Sequence, residues 1–276
     1  MKISKKLICL GLVTAFGLVG FGKKAEAQGN NVQVPNSTLN LYLNDKLLET
    51  YVPEGDENPE EDRLFGGVPS YLFNQEFESF EPRVMIYDSS SLEGLQFVNT
   101  KKLTLYGQLL DLNPISEIHE LEELDMTVVQ GSGYGGYAKT GSSDLSFMRN
   151  KLTKLKKFTY KQDGFHDGLS TLMDISELSE HPLLEEATIQ SSGGLQTISM
   201  RAGYRKYEVF NPVILSSQFD GAEISYSSPD ANFTNTDGLL KWNAVPQDTE
   251  YLTLEWTVTQ GKFHFEGNVQ IPIDWK

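Results

Sequence analysis

The sequence predicts a mainly β chain with short helices, in which a stack of short parallel strands is followed by a small antiparallel sandwich. Three observations carry that prediction. One phrase recurs as Asp111-Leu112-Asn113-Pro114-Ile115, Asp144-Leu145-Ser146-Phe147-Met148 and Asp174-Ile175-Ser176-Glu177-Leu178. Each copy leads into leucine-type residues at about every third position and then into a short strand-like segment, most cleanly in Ile115, Ile118, Leu121, Leu124 and Met126. Beyond Tyr204 the pattern changes to short alternating runs divided by turn residues such as Asn211-Pro212, Asp220-Gly221 and Asp237-Gly238. The repeated pattern is the signature of a leucine-rich repeat, whose strand-plus-turn unit cannot bury its apolar side alone and stacks on its neighbours.

In chain order, residues 1–27 read as a secretion signal. Lys2, Lys5 and Lys6 precede an apolar run from Leu7 to Gly22, and Ala25-Glu26-Ala27 is a small-residue cleavage site. That run, with four glycines, is short and loose for a bilayer span of ~20 residues, so no membrane insertion is expected once the signal is removed. The only cysteine, Cys9, lies inside the run, so the mature chain is held by its core alone. At about 249 residues it is long enough for that.

Residues 28–82 are assigned to an N-terminal flank or cap, in which Leu39-x-Leu41-x-Leu43 is expected to be a strand. The run Glu54 to Asp62 carries six acids with Pro and Gly. It lacks the spaced carboxylates of a calcium loop and reads as a solvated connection. Residues 83–203 are assigned to the solenoid, with strand cores Val84-x-Ile86, Leu103-x-Leu105, Leu124-x-Met126, Phe158-x-Tyr160 and Ala187-x-Ile189. Steps of 19, 21, 34 and 29 residues, against a unit of about 22, place insertions near 130–141 and 161–168 on one rim of the stack. Residues 204–276 are assigned to the sandwich. Its expected strands are Tyr207 to Phe210, Val213 to Ser216, Ala222 to Tyr226, Leu239 to Ala244, Tyr251 to Val258 and Phe263 to Ile273, with Trp242, Trp256 and Phe265 in the middle.

The charge narrows the partners. The net value is −15, and removing five lysines and one glutamate with the signal leaves about −19. Such a surface repels phosphate backbones and anionic lipid, which excludes nucleic acid as a partner. No cofactor, metal or catalytic residue is expected. Gly131-Ser132-Gly133-Tyr134-Gly135-Gly136 matches a dinucleotide fingerprint, but Tyr137-Ala138-Lys139-Thr140-Gly141 cannot open the apolar helix such a site requires. His119, His166, His181 and His264 have no metal-ligand spacing, and there is no nucleophile elbow.

Several phrases resemble the internalins, leucine-rich-repeat proteins exported by certain Gram-positive bacteria. Ser91-Leu92-Glu93-Gly94-Leu95-Gln96-Phe97 is similar to that family's "L-x-G-L-Q-Y", and Leu110-Asp111-Leu112-Asn113-Pro114-Ile115 to its "T-D-L-S-P-L". Tyr207 to Ile214, Leu240-Lys241-Trp242 and Phe265 to Val269 resemble the immunoglobulin-like module fused to the last repeat. The resemblance implies a leucine-rich-repeat solenoid plus a C-terminal immunoglobulin-like β-sandwich, acting in virulence or at the cell surface by binding another protein, in some relatives a host-cell protein.

The functional expectation is thus a secreted, monomeric, non-enzymatic scaffold that binds a protein through the outward residues of its strands and through its rim loops. The candidate contacts are Tyr87, Tyr106, Glu123, Asp125, Lys157, Thr159, Lys161 and Glu186 on the strands, and Tyr134, Tyr137 and Phe165 in the insertions. Outward charges alternate in sign from unit to unit, which suits a charged protein partner. The alternative is a structural component of a bacterial cell-surface complex that binds wall proteins.

Overall fold

The computed structural model describes residues 31–49, 68–84, 91–107, 109, 111–129, 143–163, 171–230 and 232–276. The expected signal at 1–27, the acidic run at 54–62, the strand core at Ile86, the insertion at 130–141 and residues 164–168 of the second insertion lie outside them. The strands are β1 (Asn31–Val32), β2 (Val68–Pro69), β3 (Glu76–Phe80), β4 (Arg83–Val84), β5 (Asn99–Gly107), β6 (Glu123–Val129), β7 (Lys157–Asp163), β8 (Glu186–Gly194), β9 (Ile198–Met200), β10 (Tyr207–Phe210), β11 (Ser225–Ser227), β12 (Phe233–Thr236), β13 (Leu239–Trp242), β14 (Tyr251–Gln260) and β15 (Phe263–Trp275). The α-helices among the described residues are α1 (Ser37–Glu49) and α2 (Asn113–Ser116), so the chain is mainly β with short helices.

The first correction falls on Leu39, Leu41 and Leu43, which belong to α1 and not to a strand. Spacing of two over five residues also satisfies the i, i+4 relation of a helix, and that relation wins here. Leu39 and Leu43 are fully buried while Leu41 is 44% exposed. Asn36 supplies the start signal: its Oδ1 accepts the Leu39 amide at 2.8 Å.

Each repeated aspartate makes the same local turn. Its Oδ1 accepts the amide two residues on, at 3.0 Å for Asp111 to Asn113, 2.8 Å for Asp144 to Ser146 and 2.9 Å for Asp174 to Ser176. The chain then descends in three-residue steps, with amide-to-carbonyl bonds Ile115 to Leu112, Ile118 to Ile115 and Leu121 to Ile118. Met148 to Leu145 and Leu178 to Ile175, His181 to Leu178, Leu184 to His181 repeat the pattern. This tight winding is why every third residue is buried. His181 fills one of those inward slots, with its Nδ1 3.2 Å from the Glu177 carbonyl oxygen.

The strands that follow these descents lie side by side. The long open sheet has the order β11-β14-β15-β8-β7-β6-β5-β3, with β4 also on β5 and β9 also on β15. Pairing is parallel from β3 through β8. It stays parallel onto β15, where Phe263 faces Ala187 and Gln270 faces Gly194. β14 and β11 then continue antiparallel. One face is mostly apolar: Leu103 and Leu105, Leu124 and Met126, Phe158 and Tyr160, Ala187 and Ile189, then Phe265, Val269, Leu254 and Val258 are all buried. The polar Gln162 and Ser191 are buried in the same rows, with Gln162 Oε1 accepting the Leu172 amide at 3.2 Å. The sheet therefore runs without a break from the repeated units into the C-terminal segment.

β10, β13 and β12 form a second, three-stranded antiparallel sheet. Trp242, Trp256 and Phe265 are buried, as expected. Trp242 lies between Tyr207 and Phe233, with ring centroids 5.7 and 4.9 Å away, and Trp256 meets Phe265 edge-on at 5.6 Å.

Three strand assignments change here, and the first is that the strand expected at Ala222 to Tyr226 starts only at Ser225, because the Ala222 amide is taken by the Phe219 carbonyl. Val213 to Ser216 is not a strand; it makes only an isolated parallel bridge, Ile214 to Asp174, and runs into a 3₁₀ turn at Ser217–Phe219. The Phe219 amide bonds the Ser216 carbonyl and the Ala222 amide bonds the Phe219 carbonyl, repeating the three-residue descent of the earlier units. This segment stacks on the third unit through Ser217 N–H to Ser179 Oγ at 2.9 Å and Gln218 Nε2 to the Leu178 carbonyl at 2.8 Å. β12 was not expected, because only Phe233 of its four residues gives an inward signal and Thr234, Asn235 and Thr236 are exposed.

Candidate functional site

The face of the long sheet opposite the apolar core carries the strand residues singled out above. Parallel pairing arranges them in rows across the strands. The first row is Lys102, Glu123, Lys157 and Glu186, each directly opposite the next. The second is Thr104, Asp125, Thr159 and Thr188, and the third is Tyr106, Thr127, Lys161 and Gln190. Tyr106, Glu123, Asp125, Lys157, Thr159, Lys161 and Glu186 are thus brought together on one surface, with Tyr106 45% exposed. Tyr87, Tyr134, Tyr137 and Phe165 lie outside the described residues.

The first row is an ion-pair ladder. Lys102 Nζ is 3.0 Å from Glu123 and Lys157 Nζ is 2.8 Å from Glu186. The ladder continues around the bend below the strands, where three lysine–glutamate contacts join successive units. Lys151 meets Glu117 at 2.8 Å, Lys154 meets Glu120 at 2.6 Å and Lys156 meets Glu122 at 2.6 Å. All three pairs and the facing Glu123–Lys157 share one offset of 34 residues. On the other side of the basic unit, Arg149 pairs with Glu177 and the Asn150 amide bonds Glu180 at 3.0 Å. A basic turn is sandwiched between two acidic ones, so much of the sign alternation is satisfied within the chain. Exposed pairs contribute little stability each, but shifting a unit would set like charges opposite one another.

The protonation equilibria follow from these contacts. Hydrogen bonds from Lys151, Lys156 and Lys157 hold Glu117, Glu122 and Glu186 below the usual carboxylate range. Asp125 is exposed, but partial loss of water around its carboxyl from the surrounding strands pushes it up, with Lys157 opposing. For the three glutamates the folded value lies below the unfolded one, so their contribution is present above the ordinary value of 4.5 and is lost as pH falls through the folded value. The stability difference between the wild type and K151Q/K156Q, which removes the partners of Glu117 and Glu122, is therefore expected to exist at about pH 7, to shrink below about pH 4.5, and to shrink again in about 1 M salt. Thermal melts at each condition check this, and a difference that ignores both pH and salt sinks the ladder's role.

Sequence reasoning missed the continuation of this face onto β15, β14 and β11. Glu266 accepts from Gln190 Nε2 at 2.8 Å and lies 3.1 Å from His264 Nε2, while His264 Nδ1 is 2.9 Å from Thr259 Oγ1. Glu255 accepts from Asn268 at 3.2 Å and from Ser227 at 3.0 Å. The alternation of His264, Glu266 and Asn268 with Phe265 and Val269 signalled a two-faced strand. Nothing local signalled that its partner is β8, some seventy residues earlier. Among the described residues no group of three or more His, Cys, Asp or Glu could hold a metal ion, and no helix is long and apolar enough to cross a membrane.

No family model matches the chain. It is similar to the uncharacterized protein YfjW of Escherichia coli strain K12, with 29% identity over 169 residues, covering 55% of this chain and 27% of that protein. Among solved structures it is similar to the functional domain of InlJ from Listeria monocytogenes, which includes a cysteine ladder. The identity is 15% and the TM-score 0.39, covering 74% of this chain and 49% of that one. The chain thus spans about a quarter of the curated relative and about half of the solved one.

Proposed function

We propose that the chain is a secreted, non-enzymatic recognition protein. In this reading a leucine-rich-repeat solenoid, closed by an immunoglobulin-like sandwich, offers the open face of its sheet to another protein, with a host-cell protein as the first candidate. One observation supports the reading above the rest: a polar sheet face spans β5 to β8 and continues across β15 and β14, and its second and third rows stay exposed at Tyr106, Asp125 and Lys161. An open sheet face of this kind suits a broad, flat protein contact, and an exposed tyrosine is a residue type that anchors such contacts.

The ion-pair ladder tells which residues to alter. Reversing Glu123 or Lys157 would disturb the stacking, whereas Tyr106 and Lys161 lie in the third row, away from it. Capture from host-cell surface extract is to be compared between residues 28–276 and the Y106A/K161E variant. The expected outcome is a partner retained by the first and lost by the second. Equal capture by both overturns the assignment of this face. Fractionation of the producing cells decides the alternative, since a wall-bound component pellets and a free one is found in the medium.

A further inference from the structure

We infer that the C-terminal sandwich carries a second docking groove, distinct from the sheet face, built for a segment of another protein that combines large apolar side chains with lysine or arginine. The groove has a volume of about 680 Å³, within the range of clefts that hold ligands of roughly 300 to 1,000 Å³. Its walls come from the end of β10, the segment at Val213 to Leu215, the segment at Ala222 to Tyr226, and the turn between β12 and β13.

Two features identify what it takes. Phe210 is 69% exposed and Ile214 51% exposed, and both line this one groove beside the half-buried Leu215 and Ile224. Single exposed apolar residues need no explanation, but two large ones lining one concave site mark a place where something binds, and the polar groups that share the lining suit a segment of mixed character. The charged residues lining the groove, Glu223 and Asp237, are both acidic and both exposed. A second copy of this chain, at −15 overall, would bring acid against acid. A cationic, apolar segment satisfies both the floor and the rim.

The groove is also pre-formed. The Asn211 amide donates to the Gly238 carbonyl at 2.8 Å, and Asn211 Oδ1 accepts from the Tyr226 hydroxyl at 2.6 Å. One residue thus ties three of the walls together. The Gly238 amide in turn donates to Asn235 Oδ1 at 3.1 Å, fixing the hairpin turn. A site held open in this way binds without first ordering its own walls.

The test uses immobilised residues 28–276 and a random short-peptide display library as the probe. Enriched peptides are expected to carry lysine or arginine beside large apolar residues. Their affinity should fall about tenfold or more on F210D or I214D, both already at exposed positions, and fall in graded fashion on E223K/D237K. The Y106A/K161E variant should bind them unchanged, which separates this groove from the sheet face. Enrichment of acidic peptides, no enrichment, or binding indifferent to F210D and I214D overturns the proposal. A dimer that F210D dissolves overturns it in favour of a second copy as the occupant.

Discussion

Replacing Gly267 with alanine is expected to destabilise the chain by about 3 kcal/mol, the upper end of what inserting one methyl into a packed interior costs. A Cβ built there would stand 2.1, 2.2 and 2.6 Å from Cζ2, Cη2 and Cε2 of Trp256. Neither side can give way easily. Gly267 is held in the middle of β15, opposite Trp256 in β14 and opposite Ser191 in β8. The indole lies across this glycine and is held edge-on by Phe265 at 5.6 Å. The added methyl must therefore expel the ring or pull the central strand away from a neighbour. Denaturant titration measures the loss. The double variant W256A/G267A sharpens the test, because removing the ring costs about 3–5 kcal/mol alone but frees the space the methyl needs. The two losses should fall well short of additive, and additivity within about 0.5 kcal/mol would show that the methyl and the ring do not compete.

Gly267 also shows where sequence reading stops. Phe265-Glu266-Gly267-Asn268-Val269 was legible as a strand, and the burial of Trp256 and Phe265 was legible from alternation. The clash that makes glycine necessary was not, because it depends on a pairing register that no local pattern encodes. The repeated units were more open to reading. Asp111, Asp144 and Asp174 announce the same turn three times, and the leucines that follow are buried at the expected intervals. Failure came where two periods coincide, as at Leu39 to Leu43, or where a unit is assembled from separated pieces. The descent through Ser216, Phe219 and Ala222 lacks both the aspartate and its own strand, and β15 supplies the strand from farther along the chain. For the candidate surface, the outward residues of β5 to β8 were identified. That the first row pairs with itself was hidden, since opposite charges in successive units look the same whether they await a partner or face each other.

Removing residues 205–276 is expected to abolish cooperative unfolding of what remains. β8 pairs with β15 over eight residues, from Ala187–Phe263 to Gly194–Gln270. Without β15, β8 becomes a naked edge with unpaired backbone groups, an invitation to aggregation. Loss of the segment through Ser217–Phe219 uncovers the turn at Ser176–Glu180, and the row of buried side chains ending at Ala187 and Ile189 meets water. A stacked unit contacts only its neighbours, so an uncapped last unit has nothing to bury its apolar side against. A milder probe covers the case in which the truncated chain cannot be purified. Phe265 is fully buried and faces Ile189 across the β8–β15 pair, so F265A in the full chain should cost about 3–5 kcal/mol. At this size that lowers the melting temperature by roughly 10 °C. Hydrogen exchange should then show loss of protection in β8 as well as in β15. A truncated chain that melts at the temperature of the intact one, or an F265A variant whose β8 amides keep full protection, would mean that the two halves of the sheet are energetically separate.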